Sequence, residues 1–164
     1  MSIWDRFPNY SREELRILVY LTAEMLFESD EATSQFPPDF LMISPKAAAQ
    51  ELQLLLQTEG KSVTKLDLQR LLETDETSVE LCLKILDIIR AYPEMANQIS
   101  LAYDRRVQSM ATPEIMLLTS ALVILAMRIR KVSLQKSKME FEFESAGKAV
   151  SSFIIALLGK IKGL

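Results

Sequence analysis

The chain has 164 residues, a formal net charge of −3, four glycines, six prolines, one cysteine and no histidine. So few glycines and prolines argue against an all-β fold, which needs many tight turns, and a single cysteine excludes an internal disulfide bond. Because the commonest general base and metal ligand is missing, we expect neither an enzyme nor a metal or cofactor site. The length predicts one domain over residues 1–164, and the lone cysteine favours the reducing cytoplasm.

Signals for helix ends recur along the chain. A capping box formed by Ser11 and Glu14 opens the first helix. Ser44-Pro45 opens the second, and Gly60 is expected to end it in a left-handed conformation. Hydrophobic periodicity then predicts further helices over residues 65–73, 77–91, 94–109, 113–130 and 146–164.

Between the last two helices the hydrophobic period changes from 3.6 to 2. Apolar and polar residues alternate in two short runs, VSLQ at 132–135 and MEFEFE at 139–144. Such alternation is typical of half-buried strands, so it predicts a β-hairpin near residues 130–144. The predicted fold is therefore mainly α, a compact bundle of about seven helices with one small β-hairpin.

Residues 65–90 resemble a helix-turn-helix, with a short helix, a four-residue turn and a longer second helix. The turn and the start of the second helix carry acidic residues, which repel phosphate. Recognition helices instead present Arg, Lys, Asn or Gln to base edges. DNA binding through residues 65–90 is thus a remote alternative, and we expect no nucleic-acid partner.

Residues 115–127 are uncharged, and residues 146–164 form a cationic amphipathic pattern. An α-helix of 13 residues rises about 20 Å, which is short of the roughly 30 Å hydrocarbon core of a bilayer. A buried central helix explains the uncharged run better than a membrane span. The alternative is a membrane-active protein whose helices 113–130 and 146–164 enter the bilayer, with peripheral contact through the cationic helix.

The charge is unevenly distributed along the chain. Residues 1–60 carry four basic and ten acidic side chains, a net charge of −6, whereas residues 111–164 carry eight basic and four acidic ones, a net charge of +4. Such asymmetry favours binding of a protein partner or self-association, although a solvated surface of mixed sign is the simpler explanation.

Two segments offer candidate contacts for such a partner. The last helix has lysines outside an apolar arc of about 140°, with one isoleucine among them, and the loop over residues 34–43 carries two phenylalanines. The simpler alternatives are that the helix docks on its own bundle and that the phenylalanines anchor the loop to the core. We therefore predict a non-catalytic interaction or adaptor domain that binds partner proteins or itself through charged and amphipathic helical surfaces. Its candidate partner-binding residues are Lys148, Ile155, Lys160, Lys162, Phe36 and Phe40.

Overall fold

The computed structural model of the chain describes residues 2–28, 40–106, 114–128, 131–134 and 139–161. These described residues form seven α-helices, which confirms the predicted helical bundle. Two short 3-10 helices span Ile3–Arg6 and Phe40–Met42. The α-helices are α1 (Arg12–Glu28), α2 (Pro45–Thr58), α3 (Lys65–Glu73), α4 (Asp75–Arg90), α5 (Pro93–Arg106), α6 (Ile115–Arg128) and α7 (Phe143–Ile161).

The predicted fold class included a β-hairpin over residues 130–144, and that part of the prediction is wrong. In the described ranges the fold has no sheet layer. β geometry is limited to two four-residue segments, Lys131–Leu134 and Met139–Glu142, which pair antiparallel only with each other. The alternating pattern continues to residue 144, yet α7 already begins at Phe143. An isolated two-stranded pair is marginally stable at best, so six alternating residues do not establish a sheet.

The first two helices begin as the sequence predicts. The Ser11 hydroxyl accepts a hydrogen bond from the Glu14 N–H, and the Glu14 carboxylate accepts one from the Ser11 N–H, both at 3.2 Å. At the second helix the Ser44 hydroxyl accepts from the Ala47 N–H at 3.2 Å. These bonds satisfy amide groups that a helix N-terminus leaves without an internal partner.

A single residue, Thr74, separates α3 from α4. A helix-turn-helix unit joins its helices by a turn of about three or four residues. The four-residue turn predicted within residues 65–90 is therefore wrong, and the resemblance to a DNA-binding unit loses its geometric basis.

Helix α2 ends in a Schellman motif at Gly60, whose φ is 76°. The Gly60 N–H donates to the Gln57 carbonyl at 3.0 Å, and the Lys61 N–H donates to the Leu56 carbonyl at 2.9 Å. Glycine adopts this left-handed conformation without a Cβ penalty. The motif turns the chain back on the helix end and thereby fixes the position of Lys61.

Helix α6 is the centre of the bundle and contacts α1, α2, α3, α4 and α7. Ten of its 14 residues are buried, including Thr119 and Ser120. Both hydroxyls donate to a carbonyl one turn earlier, at 2.6 and 2.8 Å, so they can be buried without loss of hydrogen bonding. Nowhere in the described ranges does a helix combine the length and apolar character of a membrane span.

Cys82 lies on α4 and is 0% exposed, as its place in an apolar pattern predicts. Its Sγ atom is 2.8 Å from the Thr119 Oγ1 atom of α6. Burial raises the pKa of the thiol from about 9 to about 12, while the contact with Thr119 lowers it in part. The thiolate, which is the nucleophilic form, is therefore strongly disfavoured in the folded protein.

We expect the substitutions Gly60→Ala and Gly159→Ala to change stability in opposite directions. Gly60→Ala should cost about 1 kcal/mol of unfolding free energy, because a Cβ atom disfavours the left-handed conformation even though the space around it is open. Gly159→Ala should gain about 0.5 kcal/mol, since Gly159 is helical and an added Cβ meets no atom within 4 Å. Urea unfolding followed by circular dichroism measures both, and changes of the same sign would contradict the Schellman geometry.

We expect iodoacetamide to label Cys82 in the native protein only as fast as the bundle opens. The denatured protein should react at once under the same conditions, at about pH 8. Because the folded pKa is raised, the stabilising effect of the buried neutral thiol is complete below about pH 9 and is lost as the pH rises towards 12. Between those pH values, Cys82→Ala should therefore lose less stability than the wild type. In the labelling experiment, rapid reaction of the native protein would contradict the burial of Cys82.

Candidate functional site

The six predicted partner-binding residues do not come together in one place. Phe36 and Lys162 lie outside the described residues. Phe40 is 7% exposed and packs in the core from its 3-10 helix, as the simpler alternative predicts, so little of its ring is available to a partner. Burial of an aromatic ring is favourable because it removes a large apolar surface from water. The position of Phe40 agrees with the alternative that it anchors the loop to the core.

The remaining three candidates lie on α7, whose solvent-facing side we call the outer stripe. Four exposed residues recur at every fourth position, Lys148, Ser152, Ala156 and Lys160, with Ile155 half-buried beside them. Ile161, at the end of the helix, is exposed as well. The opposite side of α7 is buried in the core, as the apolar arc predicts. A rise of 1.5 Å per residue places the two lysines about 18 Å apart along the helix axis.

Lysine supplies the only charge of the outer stripe. Residues 145–161 contain no acidic side chain. Within the described ranges neither Lys148 nor Lys160 forms an ion pair; the ion pairs found there join arginines to carboxylates. The stripe therefore presents two cationic ends joined by the short side chains of Ser152 and Ala156.

A cavity of about 480 Å³ opens beside the N-terminal half of the outer stripe, between α7 and the end of α2. We call it the α2–α7 cavity. Its volume lies in the range of about 300–1,000 Å³ that small-ligand pockets occupy. Since two of its residues also belong to the outer stripe, the cavity and the stripe form one continuous surface. The lining residues are Thr58, Glu59, Lys61, Lys148, Ser151 and Ser152.

Ser151 is the unusual residue of this cavity. It is 0% exposed, and its hydroxyl has no hydrogen-bond partner in the described structure. The other buried hydroxyl residues all donate to a backbone carbonyl: Thr22, Thr77, Ser78, Thr119 and Ser120. A buried polar group that stays without a partner costs about 1–3 kcal/mol, a cost that the other buried hydroxyl residues avoid.

A second polar region surrounds the N-terminal 3-10 helix, where several side chains contact each other and the buried hydroxyl of Tyr10 has no hydrogen-bond partner in the described structure. Arg6 pairs with Glu14, and the Trp4 indole N–H donates to the Ala96 carbonyl at 2.7 Å. The Arg90 guanidinium lies 4.1 Å from the centre of the Phe7 ring. Burial is the main cause that raises the pKa of Tyr10 to about 12. These contacts hold the start of the chain against α1, α4 and α5, so we interpret this region as structural.

In the described residues, the side chains that metal or nucleophilic chemistry would use are dispersed or buried. No group of three or more His, Cys, Asp or Glu side chains is placed there to hold a metal ion. The single thiol is buried with a raised pKa. The arrangement that offers most to a ligand is thus the cavity, with two ammonium groups and an unpartnered hydroxyl.

Sequence reasoning found the lysines of α7 but missed Lys61 and Ser151. Gly60 did predict a helix end, and a Schellman motif brings the following residue back towards the helix, so Lys61 carried a readable signal. Ser151 lies next to Val150 on the buried side of α7, and a serine among apolar positions was the available signal for it. Nothing in the sequence, however, places residues 58–61 beside residues 148–152.

Comparisons of the chain with protein-family models, with curated proteins and with solved structures gave no match.

Proposed function

We propose that this chain is a non-catalytic protein-interaction domain that binds an acidic segment of a partner protein along the outer stripe of α7. One observation carries the proposal. The only charges of the stripe are two lysines about 18 Å apart, Lys148 and Lys160, which form no ion pair among the described residues.

The stripe is a suitable docking surface because α7 is held firmly on its other side. A Cβ atom on Gly147 would lie 3.4 Å from the Ala126 carbonyl oxygen, so α6 and α7 approach closely there. The side chains of Val150, Ile154 and Leu157 are buried. A partner would therefore meet a preorganised surface and would not have to order it, which lowers the entropic cost of binding.

The dimensions and the charge of the stripe define the partner. An extended chain rises about 3.3 Å per residue, so a segment of five or six residues spans the distance between the lysines. Short side chains at Ser152 and Ala156 let its backbone approach α7 closely. Acidic residues near both ends of the segment would be attracted to the lysines, which also favours rapid, oriented association. The acidic residues 1–60 of a second copy are one source of such a segment.

The competing proposal, a membrane-active protein, requires α6 and α7 to leave the bundle. Helix α6 has ten buried residues and contacts five other helices. Its departure would expose the centre of the core, at a cost of about 25 cal/mol for every Å² of apolar surface left in water. Burial of α6 therefore favours the interaction domain, with peripheral membrane contact as the alternative to be measured.

We expect the double substitution Lys148→Glu with Lys160→Glu to weaken binding of an acidic partner by about tenfold, because attraction becomes repulsion at both ends of the stripe. The effect should shrink as salt is raised. The partner is first recovered from native cell extract on the immobilised full chain and identified by mass spectrometry. Its affinity is then measured by calorimetry at low and high ionic strength.

The matched control is Lys46→Glu with Arg105→Glu, which changes the net charge equally at exposed positions of α2 and α5. Arg105, like Lys160, lies in the last turn of its helix. An equal loss in both double variants, or an unchanged affinity in the α7 variant, would overturn the proposal. Flotation of the full chain with anionic liposomes, together with no recovered protein partner, would favour the membrane alternative. Sedimentation velocity shows whether a second copy is the partner.

A further inference from the structure

We propose that the α2–α7 cavity binds the phosphate of a phosphorylated serine or threonine carried by the acidic partner segment; this inference rests on the function proposed above. The starting observation is Ser151. Ser151 lines the cavity, and its hydroxyl is fully buried and has no hydrogen-bond partner among the described residues. A rotation of the Ser151 side chain towards the cavity would let a ligand oxygen supply the missing partner.

Two cationic residues line the same cavity, Lys148 on α7 and Lys61 just after the end of α2. Lys148 precedes Ser151 by about one turn of α7. Lys61 is held at the end of α2 by the hydrogen bonds that surround Gly60. Neither lysine has an ion-pair partner within the described ranges. The cavity thus offers two ammonium groups together with the hydroxyls of Ser151 and Ser152.

This set of donors fits a phosphate monoester better than a carboxylate. A phosphorylated side chain carries about −1.5 to −2 charges and three acceptor oxygens, whereas a carboxylate carries one charge and two oxygens. Two ammonium groups balance a dianion, and two hydroxyls add neutral donors. Glu59 also lines the cavity and opposes an anion, so it should limit the affinity.

The position of the cavity indicates that the phosphate comes from the docked segment. Lys148 and Ser152 belong to both the cavity and the outer stripe. A segment that lies along α7 therefore passes the mouth of the cavity, while Ser151 is buried beneath it. The volume of about 480 Å³ leaves room for the stem of a side chain behind its phosphate.

The test uses two synthetic peptides of about seven residues, both acidic, with a central serine that is phosphorylated in one of them. Calorimetry with the full chain at constant ionic strength should show at least about tenfold tighter binding of the phosphopeptide, because hydrogen bonds to a charged group are strong. Ser151→Ala should remove most of that difference and leave the binding of the unphosphorylated peptide unchanged. Glu59→Gln should tighten phosphopeptide binding severalfold, and Lys46→Gln should have no effect. Inorganic phosphate should compete with the phosphopeptide and should not compete with the unphosphorylated peptide.

A stability measurement separates the proposed role of Ser151 from a structural one. Ser151→Ala removes a buried hydroxyl without a partner, so its melting temperature should rise by a few degrees. The matched control is Ser78→Ala, which removes a buried hydroxyl that donates to the Leu72 carbonyl at 2.9 Å and should lower the melting temperature. A lower melting temperature for Ser151→Ala would mean that its hydroxyl is already satisfied, and would overturn the inference.

The peptide results distinguish the two proposals from each other. Equal binding of both peptides would overturn the phosphate site and leave the outer stripe supported. Phosphopeptide binding that Ser151→Ala does not weaken would also overturn the site. If the phosphopeptide binds and the unphosphorylated peptide does not, the cavity is supported and the stripe fails as an independent docking surface. If neither peptide binds, both proposals fail.

Discussion

The burial of α6 on all sides is the constraint on which the rest of the fold depends. A helix can be surrounded by other helices only if it carries no charge and leaves no polar group without a partner. Helix α6 meets both conditions, because Ile115 to Met127 are uncharged and the hydroxyls of Thr119 and Ser120 donate to its own backbone. Five helices can then pack around it. The outer stripe follows from this packing, since α7 must turn its apolar side towards α6.

The same hydrogen-bonding rule makes Ser151 stand out. Five other buried hydroxyl residues of the bundle donate to a backbone carbonyl, and so their burial costs little. Ser151 makes no such bond in the described structure, although it lies within a helix where the carbonyl of the preceding turn is near. Because Ser151 lines the α2–α7 cavity, a ligand in that cavity is our proposed explanation for its missing partner.

Local chemistry explains which features the sequence could predict. The capping box at Ser11, the Pro45 start and the Gly60 end depend on a few neighbouring residues, and all three were predicted correctly. The exposed positions of Lys148 and Lys160 follow from the helical period alone. Longer-range features were wrong or left open: the alternation in 139–144 is interrupted by α7, and the loop sequence does not decide between a contact and a core anchor for Phe40. The α2–α7 cavity joins segments about ninety residues apart, so no local pattern encodes it.

The use of charge within the bundle explains why lysines remain for a partner. Each ion pair among the described residues uses arginine, as in Arg12 with Asp75 and Arg128 with Glu51. The planar guanidinium binds a carboxylate through two parallel hydrogen bonds, and Arg12 does so with Asp75. The pairs of Arg12 with Asp75 and of Arg128 with Glu51 join residues 1–60 to the rest of the fold. The second pair also uses part of the charge asymmetry internally, because it joins an acidic residue of 1–60 to a basic residue of 111–164. Lysine carries a strongly hydrated point charge on a flexible side chain. It is therefore less suited than arginine to internal ion pairs, and its charge stays available to an anion from a partner. Lys61, Lys148 and Lys160 form no ion pair among the described residues, and along the cavity and the stripe they remain available to such an anion.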